Sequence, residues 1–363
     1  MTRVLVDGRA LGGDGAYRGF GRYLRGVLTE LAGVDDLAIT VLVPETVSLP
    51  DGLVTHPVRR RASGRLAELE HRLRLPAEIR AVPGDVFHSP GHDPPRRCDR
   101  PWVQMLHDVI PLVLADPGYR EARRQWRARA RRLRRATAFI ANSHHTAAEA
   151  VRVLGLDSRR VHVAHLGVDA AFRPADQRAR PDPPYILLVG EFGPNKGYAE
   201  AFDVVAGLAD AGHHHRLKVA GRMAPWVAPQ VEALVSRARR PDRVDLLGYV
   251  HDADLVELYR GATALVVTSR AEGFGLPALE AMATGTPVVA FANTALTEVI
   301  DSGGDLVEDG NVDAAVKAVE GLILDERRWS EASGRGLARA ARFTWKRCAE
   351  VHADVFRAAA NGI

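Results

Sequence analysis

The chain has 363 residues, 46% of them apolar and 26% charged, the balance of a soluble globular protein with room for two medium-sized domains. No apolar run reaches membrane-spanning length and the N-terminus enters a strand with no leader, so a cytoplasmic protein is expected; Cys98 and Cys348 match no metal spacing and read as free thiols. Net charge is only +4, yet the first half is strongly basic and uses arginine alone, while every lysine lies in the second half, an asymmetry that points to an anionic partner for the first half.

In chain order, Val4–Val6 is expected as a short strand. A loop rich in glycine follows, through Gly19 and Gly21, and then a helix carrying Phe20, Tyr23, Leu24, Val27, Leu28 and Leu31 at three-four spacing. Strand, glycine loop and helix form a phosphate cradle, although glycines also serve as plain turn residues. Residues 59–75 read as a basic amphipathic helix whose Leu66, Leu69 and Leu73 face the core. Val86–Ser89 and Val103–Leu106 are expected strands of a parallel sheet, ending in His88 and in His107-Asp108. A polar pair at the carboxyl end of a strand lies on the binding edge, which makes His107 a candidate site residue. Its alternative is a structural histidine bonded to backbone or to Asp108. His88 reads as structural, and His144, His145 and residues 213–215 as exposed polar positions.

Residues 119–136 concentrate arginine around Trp126. Most of this is accounted for by a solvated helix whose arginine stems cover apolar surface. The sharper reading is attraction to anionic lipid or to a phosphorylated acceptor. Nucleic acid is not expected, because no nucleic-acid fold motif accompanies the run and aromatics are not interleaved with it. Ala138–Ala141 and Arg160–Val163 are further strands, and the proline-rich residues 174–184 are the best linker.

The second half repeats the strand–loop–helix theme. Tyr185–Val189 leads into Gly190-Glu191-Phe192-Gly193-Pro194-Asn195-Lys196-Gly197 and a helix bearing Phe202, Val205 and Leu208. Lys196 stands where that helix begins, placed to meet a diphosphate as a point charge, or else an ordinary surface lysine. Strand Leu217–Ala220 is followed by Arg222, and strand Val244–Leu247 by Gly248, Tyr249 and Val250. Strand Leu265–Thr268 then runs into Glu272-Gly273-Phe274-Gly275-Leu276, with Pro277 opening a helix that Gly285 ends before the strand at Val288. A helix start at the carboxyl edge of a parallel sheet offers unpaired N–H groups and a positive dipole end. Glu272 precedes the glycines, and Glu280 lies too far into the helix for a capping box. Two acids beside a free helix start, over backbone bare of side chains, suit the hydroxyls of a polyol.

The segment EGFGLPALEAMATGTPVVA, residues 272–290, resembles the donor-site signature of glycosyltransferase family 4, retaining enzymes of the GT-B fold. The resemblance implies that Glu272 binds hydroxyls of the donor sugar and Glu280 the ribose, with the loop around Gly273, Phe274, Gly275 and Leu276 against sugar and pyrophosphate. It implies that LHDVIPL carries a histidine, His107, reaching the donor sugar near its anomeric carbon, and that Gly19 and Gly21 sit between donor phosphates and acceptor. The loop from Gly190 is similar to the family's phosphate loop. Lys196 matches, whereas Glu191 stands where an arginine is common, so either Arg222 supplies charge or the diphosphate is bound less tightly than usual. The backbone at Tyr249 and Val250 is implied to receive the nucleobase, and Trp345–Phe356 to form a helix returning to the first domain.

The expected fold is therefore α/β of the GT-B type, two Rossmann-like domains with a cleft between them. Residues 1–173, completed by a helix at about 344–363, form the acceptor domain, and 185–343 the nucleotide-sugar domain. The expected function is retaining transfer of a sugar from a nucleotide-diphosphate sugar to a saccharide, lipid-linked saccharide or small glycoside. His107, Lys196 and Glu272 would be catalytic. No cofactor and no metal is expected, the nucleotide-diphosphate sugar being a co-substrate. Alternatives left open are a non-catalytic nucleotide-sugar binding protein, favoured by Glu191, and an epimerase on the same fold.

Overall fold

The computed structural model describes residues 1–12, 19–58, 64–177, 181–224 and 227–362, with backbone alone at 64–72. It divides into two compact units, Met1–Gly167 with Thr344–Ile363, and Val168–Phe343.

The first unit is built on strands β1 (Thr2–Asp7), β2 (Leu37–Val43), β3 (Val54–Pro57), β4 (Val86–Ser89), β5 (Trp102–Leu106), β6 (Ala138–Ala141) and β7 (Val161–Val163). They pair in parallel in the order β3-β2-β1-β4-β5-β6-β7. Central strands are covered on both faces, so they read as unbroken apolar runs: Val4, Leu5 and Val6 are all buried, as are Phe139, Ile140 and Ala141. At the edge, β3 is largely exposed and ends in Pro57, a residue without an N–H to donate to a further strand.

The second unit holds β8 (Tyr185–Val189), β9 (Arg216–Ala220), β10 (Val244–Gly248), β11 (Leu265–Val267), β12 (Val288–Phe291) and β13 (Asp305–Val307), again all parallel, in the order β10-β9-β8-β11-β12-β13. Helix Tyr198–Asp210 buries Phe202, Val205 and Leu208 against Ile186, Leu188, Val219 and Val266. Each sheet reverses its winding once, between β1 and β4 and between β8 and β11. In a doubly wound sheet the loops diverge at that point and leave a crevice beyond the carboxyl ends of the strands. The two folds thus fix two places where chemistry can sit.

Helix Trp345–Ala360 belongs to the first unit and packs on helix Gly19–Leu31. The packing is close enough that a Cβ at Gly26 would strike the Trp345 ring, and one at Gly167 the Trp345 backbone nitrogen. Thr344 caps the helix by accepting from the Arg347 N–H at 3.2 Å.

Several local expectations change. The basic helix runs Gly64–Ala81 and continues through Pro76; its buried side is Leu75 and Ile79, one turn apart, while Leu73 is 60% exposed. Leu73, expected to face the core, therefore points to solvent, while residues 59–63 and the side chains of Leu66 and Leu69 lie outside the described residues. His215 is buried rather than exposed. It bonds the Thr263 hydroxyl at 3.1 Å, and burial pushes its pKa down to about 4. Pro277 takes the second rather than the first helical position, because helix Leu276–Ala283 begins one residue earlier.

Candidate active site

In the second unit the crevice between β8 and β11 is lined by Val189, Lys196, Thr268, Ser269, Glu272, Gly275 and Pro277. Two close backbone approaches create it. Gly197 has φ +60°, and a Cβ there would overlap the Thr268 carbonyl oxygen, so only glycine lets the loop after β8 touch the loop after β11. Thr268 seals the contact by donating from its hydroxyl to the Gly197 carbonyl at 2.7 Å. Gly275 precedes helix Leu276–Ala283 with φ +99°, turning the chain so that the helix start faces the crevice.

Across this crevice Lys196 Nζ donates to Glu272 Oε1 at 2.7 Å. Both side chains are mostly shielded, at 20% and 12% exposure, so the pair is charge-assisted and only lightly screened. Secondary contacts hold each partner. The Glu272 N–H donates to the Thr294 hydroxyl at 3.0 Å, and Asn195 Nδ2 donates to the Ala271 carbonyl at 2.8 Å. Thr294 itself has φ +45°, a left-handed conformation unusual for a β-branched residue, and its hydroxyl donates to Asn293 Oδ1 at 3.0 Å. Neither Thr294 nor Asn195 stands out from local pattern alone. The polar Thr268-Ser269 pair just after β11 is the sequence signal that could have extended the site.

Gly190 follows β8 with φ +155°, and its carbonyl accepts from Tyr198 Oη at 2.9 Å. Burial, with the nearby Glu191 carboxylate, raises the Tyr198 phenol pKa. Glu191 thus puts negative charge beside the loop where the resemblance expects an arginine. Arg222 follows the carboxyl end of β9, the neighbour of β8, and is half-buried. Tyr249 and Val250 follow β10 at the sheet's edge, Tyr249 40% exposed and set edge-on to His251 with ring centroids 5.0 Å apart. Phe274 turns inward at 3% exposure against Phe343, so this loop presents backbone rather than a side chain, with Gly273 buried beside it and Leu276 half-buried. Glu280 lies inside the domain, 2% exposed, and accepts from Tyr259 Oη at 2.9 Å. A carboxylate so held keeps lone pairs for further hydroxyls. The structure brings Lys196 and Glu272 into one contact and sets Glu280 one helical turn deeper.

The first unit arranges its carboxyl edge differently. His107 follows β5, its Nε2 2.8 Å from the Pro90 carbonyl; a carbonyl only accepts, so Nε2 carries the proton and Nδ1 is the lone-pair nitrogen. Its ring stands edge-on to Tyr23 and Phe20 at centroid distances of 4.9 and 5.3 Å, and to His92 at 5.7 Å. Burial, then the neighbouring His92, lowers its pKa to about 3, so the imidazole is neutral. Asp108 accepts from the Ile110 N–H at 3.0 Å. Beneath His107, Tyr23 Oη lies 2.9 Å from both His88 Nε2 and His352 Nε2. This ties helix Gly19–Leu31 to β4 and to helix Trp345–Ala360. Gly19 opens that helix and Gly21 is buried in its first turn; the glycine loop before them, residues 13–18, lies outside the described residues.

The arginine-rich stretch forms helix Arg120–Leu133, with Trp126 and Leu133 buried. Arg123 is bound to the Pro111 and Leu114 carbonyls at 2.9 and 2.7 Å, and Arg129 to Asp93 at 2.8 Å. Arg120, Arg124, Arg127 and Arg131 are exposed along one stripe. No helix among the described residues is long and apolar enough to cross a membrane.

Comparison with known proteins gives a consistent outcome. Residues 17–172 match the family described as Glycosyltransferase Family 4, and residues 170–336 the one described as Glycosyl transferases group 1. An O-antigen chain mannosyltransferase B from Escherichia coli is 29% identical over 77% of this chain and 76% of its own length. A D-inositol 3-phosphate glycosyltransferase from Acidothermus cellulolyticus is 31% identical over 78% of this chain and 69% of its own. Among solved structures, HepE of Anabaena in complex with UDP and glucose superposes with a TM-score of 0.73 at 17% identity, covering 99% of this chain and all of that one, a likeness of fold.

Proposed function

Because the chain belongs to glycosyltransferase family 4 and has the GT-B fold, we propose that this sugar-transferring enzyme moves a hexosyl group from a nucleotide-diphosphate sugar to an acceptor hydroxyl, with retention and without a metal. The observation that carries the reading is the Lys196–Glu272 pair, 2.7 Å long, at the winding reversal of the second sheet. A cation and a hydroxyl acceptor are held together there at a helix start, the two functions that a diphosphate sugar requires.

On this reading the donor enters between the partners. Breaking the bond from anomeric carbon to phosphate builds positive charge on the sugar and negative charge on the leaving diphosphate. Lys196 moves from Glu272 to the diphosphate, with Arg222 and the amides at Gly275 and Leu276 adding positive potential, and a metal has no charge left to neutralise. Glu272, freed of its lysine, accepts donor-sugar hydroxyls, and Glu280, steadied by Tyr259, accepts those of the ribose. The backbone at Gly190, Tyr249 and Val250 lines the nucleotide, Gly273 and Phe274 the sugar. Neutral His107 offers Nδ1 to a sugar hydroxyl without bringing a cation beside the developing oxocarbenium. The leaving phosphate oxygen takes the acceptor proton on the face it vacates, which gives retention without a separate base. UDP in the HepE complex supports a nucleotide donor. The stripe Arg120, Arg124, Arg127 and Arg131 brings the enzyme to anionic membrane where a lipid-linked or glycoside acceptor lies.

The test is a panel of uridine, guanosine, adenosine and thymidine diphosphate sugars, with and without a chelator. Release of nucleoside diphosphate with an α-linked product by NMR, chelator-insensitive, is expected. Epimerised donor, binding without turnover in the presence of acceptor extracts, or loss of turnover with chelator would each refute part of the reading.

A further inference from the structure

Away from both crevices, the first unit carries a cavity of about 340 Å³ lined by Pro76, Arg80, Arg96, Arg97, Cys98, Asp99 and Arg135. The lining comes from three segments: the end of helix Gly64–Ala81, the loop before β5, and the turn between helix Arg120–Leu133 and β6. Each precedes a strand, so the cavity lies at the amino edge of the sheet, opposite the edge that carries His107. We propose that it is a second anion site, one that takes a phosphate-bearing group.

The charge balance carries the argument. Among the described residues none of the four lining guanidinium groups is bound to a carboxylate. The one acid in the lining, Asp99, accepts from Arg100 Nε at 3.1 Å and also lies in the field of Arg80, which offsets part of that one charge; Arg100 in turn donates to the Val82 and Gly84 carbonyls at 2.9 Å each. Among the described residues, Glu78 is committed to Arg9 at 3.0 Å and Asp85 to Arg3 at 2.6 Å. Burial raises the Cys98 pKa, which leaves a neutral thiol in the lining. Four like charges around one concavity repel one another, and a multiply charged anion turns that repulsion into attraction. Guanidinium forks match phosphate oxygens bidentately, and the cavity has the volume of a small polyanion rather than of an extended chain. Arg135 lies just past the helix that carries the exposed arginine stripe, so the group can arrive free in solution or as a lipid headgroup. The chemistry recognised is the same.

Cys98 provides the local reporter, since the other cysteine, Cys348, is buried. Alkylation of Cys98 by iodoacetamide, a neutral reagent, is followed by mass spectrometry of its peptide while inorganic pyrophosphate is raised, with sodium chloride at matched ionic strength as the control. Saturable protection is expected, about tenfold slower labelling at ten times the dissociation constant. The double variant Arg96→Ser/Arg97→Ser, both exposed positions, is expected to lose it while binding nucleoside diphosphate as before. Equal slowing by sodium chloride, equal protection in the double variant, or no protection by pyrophosphate overturns the site. Phosphatidylglycerol and phosphatidylcholine vesicles distinguish the sources. Protection by the anionic vesicles as well as by pyrophosphate assigns a headgroup, and protection by pyrophosphate alone assigns a free phosphate compound. Because the label reads Cys98, an inactive donor crevice leaves the outcome unaffected.

Discussion

The two units wind their sheets in the same sense and reverse them at the same place, yet they furnish the resulting edges with opposite chemistry. Behind β5 in the first unit stands a cluster of rings, His107 packed on Tyr23, Phe20 and His92, with burial holding the His107 imidazole uncharged. Between β8 and β11 in the second stands an ion pair, Lys196 and Glu272. A shared fold therefore says little about chemistry; the difference lies in the side chains set just past the carboxyl end of each strand. Neutral acceptors suit an uncharged hydroxyl, whereas a lysine kept by a carboxylate suits a partner more highly charged than that carboxylate.

The comparison can be broken most decisively at Lys196. Lys196→Ala should lower turnover of the nucleotide sugar by about 10²–10³-fold, the cost of one well-placed charge on a leaving diphosphate, read from steady-state kinetics at saturating donor. A change in KM alone would show that the lysine binds without stabilising departure. Next comes Gly197, on which the crevice depends. Gly197→Ala forces a left-handed φ and a clash with the Thr268 carbonyl, and should cost about 3 kcal/mol in urea denaturation. An unchanged midpoint would mean the two loops do not meet as described. On the neutral side, His107→Gln should reduce kcat by about tenfold and leave the salt dependence of KM untouched, since no charge is removed. A large salt effect would contradict a neutral imidazole.

The smallest effect is the response to acid. The folded pKa values of His107 and His352 lie at about 3 and 4, below the ordinary 6.5, chiefly through burial, and that of His88 is depressed for the same reason. The unfolded chain therefore takes up protons first as pH falls. The stability these neutral rings contribute is complete above pH 6.5 and is lost on the way down through the folded values. Among the described residues, four histidines depressed by burial lie in the first unit, these three and His162, and His215, at about 4, lies in the second. Amide exchange followed by mass spectrometry between pH 6.5 and 4 should show the first unit loosening before the second, and His107→Gln should flatten that slope. Simultaneous loosening would deny the histidines their part.

Much of this was visible in the chain. Central strands such as Tyr185–Val189 and Ala138–Ala141 match their predicted bounds because strands buried on both faces must be continuously apolar. The peripheral strands β3 and β13 were not, being short and partly polar; β2, an apolar run inside the sheet, was not among the expected strands although its composition suits one. Leu73 failed because a stripe of leucines gives a helix a face but not the direction in which that face is turned. His215 failed for a related reason: a run of three histidines says nothing about which one the fold buries.

The sequence by itself determined the alternation of strand and helix, the glycines that admit left-handed backbone, and the loops that carry lysine, glutamate and histidine, since all of these are set within a few residues. Tertiary structure alone decided that Lys196 meets Glu272 across a separation of 76 residues, that Glu280 turns inward onto Tyr259, and that four arginines from three segments share one cavity. Such contacts depend on strand order and on the close approach of loops. Those are properties of the packed sheet, which no local run of residues can express.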